Sequence, residues 1–368
     1  MVIKDYILYQ NLLKEVEAGR VTSNQKGDLV LFKYTQDTHI EGKWNDVNRQ
    51  ARGLIMRTDG TVVARPFAKF FNLGEVSETR LENLPQEGAE VFEKLDGSCG
   101  IGYLAEGQWR IATPGSLVSE QAKFASEVLI NLYDTQALPK DCTPVFEIVY
   151  PGNRIVCDYS KDPRGTQFLA LLAIIEHGGV EWHQRRVDQI ADKCGFPRPR
   201  RCSVDIRSDI PFPDNEEGYV VLFENGLRVK VKSPGYLRIH RLLNYMTPKG
   251  VIDLMRGREY GATLRELPPS IAKDFDDIRA AIQVQFDSLK SDANCNLYRL
   301  HIAVGEDAAR KDKALWIQAN VAPEKRGLVF ALLDAKDIED GLWRLVEKGL
   351  SDGKQDDLFS RPNIGSDV

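Results

Sequence analysis

The octapeptide Glu93-Lys94-Leu95-Asp96-Gly97-Ser98-Cys99-Gly100 follows a strand-like "EVF" and sets a lysine and an aspartate among glycines. Asp-Gly is a common hairpin turn, and most lysines only solvate a surface. The chemical alternative is that Lys94 is a nucleophile toward phosphorus. A free lysine has a pKa of about 10.4, so such a site must favour the neutral amine. Nearby cations and partial burial act in that direction. Further along, "PVFEIVYPGNRIV" places Glu147 inside a β-branched and aromatic run. A carboxylate there is either paired in a buried salt bridge or functional. In "EEGYVVLFENGLRVKVK", residues 216–232, Asn225-Gly226 fits a two-residue type I′ turn. Pairing outward from it sets Phe223 opposite Arg228, Val221 opposite Lys230 and Tyr219 opposite Lys232. Arg228, Lys230 and Lys232 then share one face, with Glu217 at its far end. Such a row either keeps an edge strand from aggregating or meets a polyanion, a carboxylate nearby holding a metal ion. "RQARGLIM" and "RPFAKFFNLGE" add Arg52 and Lys69 beside strand residues and glycines.

The elements that must position these groups are mostly strands. From about residue 28 to 232, runs such as "DLVLFKY", "RGLIM", "AEVFEK", "PVFEIVY", "FLALLAII" and "LRVKVK" alternate with Gly, Asp, Asn and Pro turns. "SEQAKFASEVLINLYD" and "HQRRVDQIADKCG" read as helices. Beyond about residue 243 the pattern changes: Ile271, Phe275, Ile278, Ile282, Phe286 and Leu289 recur at helical spacing. Segments near 297–320, 326–334 and 338–348 also read as helix, and the last residues as frayed. The 368 residues suffice for two or three domains, and a net charge of −5 confines any polyanion site to a local patch. Six cysteines without a CxxC pair argue against a zinc ribbon and fit free thiols in a reducing cytoplasm. No run reaches membrane-spanning length, and no signal peptide opens the chain.

Five segments in order resemble the covalent nucleotidyltransferase superfamily of ATP-dependent ligases and mRNA capping enzymes. They are Lys94-Leu95-Asp96-Gly97, Phe146-Glu147, "FLALLAII", Glu217-Gly218-Tyr219-Val220 and Lys230-Val231-Lys232. "ARGLIM", "RPFAKFFNLGE", "FEIVYPGNRIV" and "EGYVVLFENGLRVKVKSPGYLRIH" are similar to the T-even phage RNA ligase 1 family, ATP-dependent RNA ligases of the tRNA-repair type. The likeness covers about residues 28–242. It implies an α+β, antiparallel-sheet nucleotidyltransferase (adenylyltransferase) domain over residues 1–242. An all-α C-terminal domain over residues 243–368 would carry RNA preference. It implies ATP as AMP donor and Mg²⁺, replaceable by Mn²⁺, with Glu217 as metal ligand. Lys94 would be the nucleophile, with Lys230 and Lys232 catalytic beside it. Tyr34, Arg52, Lys69, Phe71, Glu93, Asp96, Gly97, Glu147, Glu217, Lys230 and Lys232 would form the nucleotide site. Glu147 would meet the ribose hydroxyls, and Phe71 would pack near the nucleotide. The implied partner is single-stranded RNA or a broken tRNA loop with 5′-phosphate and 3′-hydroxyl ends, handled by a monomer in the cytoplasm, or a host's cytoplasm. The basic segments "QRR", "PRPRR" and "YLRIHR" either track its backbone or are solvated loops. A DNA ligase, a GTP-using capping enzyme and a non-catalytic RNA-binding relative are the alternatives. The helical reading after Lys232, with no OB-fold pattern, argues against the first two. One position departs from the family: Pro114 stands in "TPGS" where a basic residue usually precedes Gly-Ser. Proline offers neither charge nor donor, so Lys123 or an arginine elsewhere is expected to substitute.

Overall fold

Three four-stranded sheets carry the residues singled out above. The computed structural model describes residues 3–351, apart from residues 87, 154, 209, 214 and 244. Contacts divide these into a unit ending at Leu237 and a second beginning at Arg238. The frayed end expected for the last residues lies outside the described part.

In the first sheet β1 (Val21–Lys26), β2 (Leu29–Tyr34), β3 (Arg52–Arg57) and β4 (Val62–Ala64) pair antiparallel in chain order. Helix α1 (Tyr6–Glu17), N-capped by Asp5, lays Leu8, Tyr9 and Leu12 on Val30, Phe32, Leu54 and Met56. The sequence reading, which began its elements near residue 28, missed α1 and β1. Leu31 and Ile55, on the other face of this sheet, meet Ile101 and Tyr103 of the second sheet. A short α2 (Gln36–Ile40) follows β2.

The third sheet runs β5 (Phe71–Asn72), β12 (Arg228–Lys232), β11 (Gly218–Phe223), β6 (Ala89–Glu93), with β5 parallel to β12 and the other pairs antiparallel. The second is ordered β10 (Phe168–Glu176), β9 (Cys142–Val149), β7 (Ser98–Ala105), β8 (Gln108–Ala112), all antiparallel. Helices α3 (Glu120–Leu132) and α4 (Gln184–Cys194), the two read from the sequence, bury Ala125, Leu129, Val187 and Ala191 against it. "FLALLAII" is β10 and is buried almost throughout, as an apolar run of that length requires.

The hairpin register differs from the expected one. Leu222, not Phe223, pairs with Arg228, Val220 with Lys230 and Gly218 with Lys232. The loop holds three residues: Gly226 N–H donates to Phe223 O at 2.9 Å and Phe223 N–H to Leu227 O at 2.9 Å. Gly226 sits at φ +85°, the left-handed position of a type I turn closed by a bulge. The apolar demand of the sheet decides this register. It keeps Tyr219, Val221 and Phe223 with Val229 and Val231 on the buried face, and the three cations on the other.

From residue 234 the chain is helical: α5 (Pro234–Leu243), α6 (Pro248–Arg256), α7 (Tyr260–Glu266), α8 (Pro269–Val304), α9 (Arg310–Asn320), α10 (Arg326–Leu333) and α11 (Glu339–Ser351). No strand occurs among the described residues of this part. Ile271, Phe275, Ile282 and Phe286 of the expected stripe are buried on α8. The helix expected over 297–320 is interrupted. Val304 closes α8, Gly305 turns at φ +93°, and α9 restarts at Arg310. No described helix is long and apolar enough to cross a membrane.

The "PRPRR" arginines turn inward or pair instead of lining a solvated loop. Arg198 donates to Asp188 at 2.9 Å, to Gln184, and to the carbonyls of Leu171 and Leu172 on β10. Arg200 pairs with Glu216, and Arg201 with Asp188 and Glu90. Removing Arg198 takes a donor from the Leu171 and Leu172 carbonyls and from the Gln184 amide oxygen, and leaves Asp188 with Arg201 alone. Arg198→Ala is therefore expected to lower unfolding free energy by about 2–4 kcal/mol. Urea denaturation reads that loss, and the salt dependence of RNA binding stays unchanged.

Candidate active site

Strand β6 ends at Glu93 and β7 begins at Ser98, so the four residues between them step from the third sheet to the second. Leu95 anchors the step by burying itself against Val149, Phe168 and Ala170. Lys94 N–H donates to Gly218 O at 2.8 Å, which ties the step to β11. Asp96 is 2% exposed and fully bonded, so it is no plain turn residue. One carboxylate oxygen accepts from the N–H groups of Val156 and Cys157 at 2.7 Å each, and the other from the Tyr236 hydroxyl at 2.9 Å. Its own N–H donates to the Tyr159 hydroxyl at 2.7 Å. Gly97 is obligatory for packing: a Cβ there would lie 2.5 Å from Ile148 O.

Lys94 Nζ donates to Glu217 Oε2 at 2.7 Å, and Lys232 Nζ lies 3.2 Å from Glu217 Oε1. One buried carboxylate thus bridges two ammonium groups. Strand alternation alone would send Glu217 to the opposite face from Lys232. Gly218 prevents this with φ +141°, a backbone that L side chains rarely adopt. Its hydrogen also takes the place where a Cβ would stand 2.0 Å from Val231 O.

Lys230 is 5% exposed. Burial, then repulsion from Arg52, Lys69, Lys94 and Lys232, holds its pKa far below the usual lysine range. Lys94 goes the other way. Burial pulls it down, but Glu217, Glu147 and Asp96 outweigh that and leave its pKa above the ordinary value. The expectation that burial and neighbouring cations keep Lys94 neutral is corrected, because the carboxylates act on it more strongly. Burial pushes the Glu147 carboxyl up to about 7 against the pull of Lys94. A raised acid stabilises the fold below its unfolded pKa, about 4.5, and loses that contribution as pH rises through about 7. Glu147→Gln is therefore expected to melt a few degrees above wild type at pH 8, for a contribution on the order of 1 kcal/mol. The gap should vanish near pH 5; a gap of equal size at both pH values would contradict it.

Lys69, 6% exposed, has its ammonium 5.3 Å from the ring centres of Trp44 and Phe71 and 5.8 Å from that of Tyr34. His39 Nδ1 lies 3.4 Å away. Tyr34 and Phe71 are buried walls of this box. Arg52 Nη1 is 4.0 Å from Cys99 Sγ, and its guanidinium is 5.6 Å from the Phe70 ring. Phe70 also lies under Lys230, at 5.1 Å, and Arg228, at 5.7 Å. Glu93 faces away from Lys94: its carboxylate takes Arg164 and, at 2.7 Å, the N–H of Arg200. Arg228 leaves the row of cations for Glu181, at 2.7 Å, and stacks 4.2 Å from the Phe67 ring. Lys94, Glu147, Glu217, Lys230, Lys232, Arg52 and Lys69 therefore act on one another's charge, with Asp96 and Gly97 beneath them. Trp44, Phe70, Tyr159 and Tyr236 also shape the site but were not singled out from the sequence. Phe70, in "RPFAKFFNLGE", and Tyr236, four residues past Lys232, lay inside quoted motifs; Trp44 and Tyr159 did not.

The described residues hold no cluster of three or more His, Cys, Asp or Glu side chains placed for a metal. A lone hard carboxylate, Glu217, suits Mg²⁺ only where phosphates and water complete the shell. The arrangement can hold a polyphosphate among cations and present an amine to its phosphorus.

The family model described as RNA ligase matches residues 50–236. A putative RNA ligase of Thermovibrio ammonificans is 30% identical over 65% of this chain and 66% of its own, so just under two thirds of that relative is spanned. An RNA ligase of Rhodothermus phage RM378 is 23% identical over 73% of this chain and 78% of its own. RNA ligase 1 of bacteriophage TS2126 is 30% identical over 55% of this chain and 54% of its own. Among solved structures, an archaeal ATP-dependent RNA ligase superposes with a TM-score of 0.48 at 15% identity, over 74% of this chain and 76% of that one.

Proposed function

This chain belongs to the RNA ligase family, and from that premise we propose that it is an ATP-dependent ligase. In this reading it joins 5′-phosphate and 3′-hydroxyl ends of single-stranded RNA or a broken tRNA loop, in RNA repair, through a Lys94–AMP intermediate. The observation that carries the reading is Lys94 Nζ held 2.7 Å from Glu217 among Arg52, Lys69, Lys230 and Lys232. A 5′-phosphate has no leaving group and must be activated first, so the hard step is split in two by a covalent intermediate. Lys94 loses its proton, and its lone pair attacks the α-phosphorus of ATP. The bond to the β-phosphate oxygen breaks and pyrophosphate departs with that electron pair. The RNA 5′-phosphate then displaces Lys94, breaking the P–N bond and forming a 5′–5′ pyrophosphate link. Finally the 3′-hydroxyl attacks the RNA phosphorus and AMP leaves.

Lys230 and Lys232 face the charge that develops on the leaving phosphates. Arg52 and Lys69 hold the outer phosphates, Lys69 steered by its aromatic box. Glu147 takes the ribose hydroxyls, and Tyr34 and Phe71 form the floor. Glu93, Asp96 and Gly97 fix the turn on which Lys94 stands. Glu217 would hold Mg²⁺, or Mn²⁺, together with the phosphates. That ion supplies further charge neutralisation on them when bound. The helical part, residues 243–368 of the sequence, selects the RNA. The test is incubation of the full chain with α-labelled ATP or GTP and Mg²⁺, then a denaturing gel. Label from ATP is expected; label from GTP alone would sink the reading. Sealing assays on linear RNA, nicked tRNA and nicked duplex then rank substrates, with the duplex poorest.

A further inference from the structure

Lys33 lies on β2 directly opposite Arg52 of β3, two residues along from Leu31. Leu31 packs toward the second sheet, so Lys33 points toward that sheet too. There it meets the turn Thr113–Ser116, closed by Thr113 N–H to Ser116 O at 2.9 Å. A Cβ built on Gly115 would have Lys33 Nζ as its neighbour at 3.7 Å. A Cβ built on Gly53, next to Arg52, would meet Pro114 Cα at 2.8 Å. Lys33, Arg52 and the Pro114-Gly115 turn therefore form one corner of the site. Pro114 is buried there, and Lys123, the expected substitute for a basic residue, stands exposed on α3. Among the described residues no carboxylate pairs with Lys33. Two like charges opposite each other on a sheet repel, and an anion between them reverses the sign of that interaction.

We propose that Lys33, set beside Arg52 and over the Pro114-Gly115 turn, binds the pyrophosphate portion of ATP and supplies the cation that the turn itself lacks. This rests on the lysyl-AMP reading above. The ligand chemistry is a pyrophosphate dianion or higher, bound together with Arg52. An exposed sheet lysine with no ligand would leave the site unchanged on removal; this lysine would not.

The test uses the reverse reaction, with inorganic pyrophosphate as probe. Full-length protein labelled from ATP is freed of nucleotide and exposed to graded pyrophosphate, and loss of label is followed. In Lys33→Ala the half-maximal pyrophosphate concentration is expected to rise about tenfold, the loss of one charge-assisted contact. Lys33→Gln, which keeps most of the stem, should behave alike. Gly115→Lys in the Lys33→Ala background returns an ammonium to the same corner and should restore the wild-type concentration. An unchanged concentration in Lys33→Ala would overturn the proposal. So would a rise that Gly115→Lys leaves in place, since that marks a structural role. A wild type that takes no label from ATP fails differently: it removes the lysyl-AMP reading itself.

Discussion

Lys94→Ala is expected to take up no label from ATP, a loss of at least about 10³-fold in adenylylation. Lys94→Arg should be equally inert, because a guanidinium stays protonated and cannot attack. The loss must be chemical and not a failure to fold. Glu217 keeps Lys232 as a partner at 3.2 Å when Lys94 is truncated. The backbone bond from residue 94 to Gly218 O does not depend on the side chain. Both variants should therefore melt within a few degrees of wild type by circular dichroism. Adenylylation by the wild type should climb with pH, because Lys94 rests as an ammonium beside its carboxylates. Label on Lys94→Ala would place the nucleophile elsewhere.

Gly218→Ala is expected to rival that loss without touching a reacting atom. The added Cβ would sit 2.0 Å from Val231 O at a φ of +141°. Relief requires the backbone to rotate or β11 to part from β12 at Lys232, and either movement carries Glu217 off the two lysines. A fold-stability cost of about 2–4 kcal/mol is expected, with adenylylation falling at least about 10²-fold. Gly226→Ala is the control. It strains a left-handed residue in the same hairpin, but nothing lies within 4 Å of its Cβ. It should cost about 1 kcal/mol and leave adenylylation near wild type. Equal activity losses in the two variants would mean that hairpin stability, not the placement of Glu217, governs the site.

The sequence made the strands, the two helices on the second sheet and the Lys94 turn readable, because each rests on local chemistry. Short apolar runs wrote β10 and β11, and alternation wrote β12; Asp-Gly and Asn-Gly marked turns. What it hid depends on distance or on small dihedral choices. The hairpin register slipped by one because Asn225-Gly226 serves a two-residue and a three-residue loop alike, and only the buried face of Tyr219, Val221 and Phe223 decides between them. Glu217 was placed on the cation face by the expected register, with Tyr219 opposite Lys232; in the actual register alternation would turn it away, and the φ of Gly218 keeps it there. The charge on Lys94 follows from Glu147 and Glu217, which only the fold brings near it. Arg198 was read as either a nucleic-acid contact or part of a solvated loop, and is neither exposed nor unpaired, because composition shows charge and not direction. Lys33 carried no signal at all, since its neighbour Gly115 is 82 positions away along the chain and opposite a different sheet.

The hydroxyl of Tyr236 reaches back 140 positions to Asp96, and the two compact units divide one residue after it, between Leu237 and Arg238. The family match also ends at residue 236. A recombination junction placed before Tyr236 would take away a strut of the Lys94–Gly97 turn along with the helices. A junction just after it leaves that turn whole. Swapping helical modules between relatives is thus an inheritance question with a one-residue margin, and Tyr236 marks which side of the seam must stay.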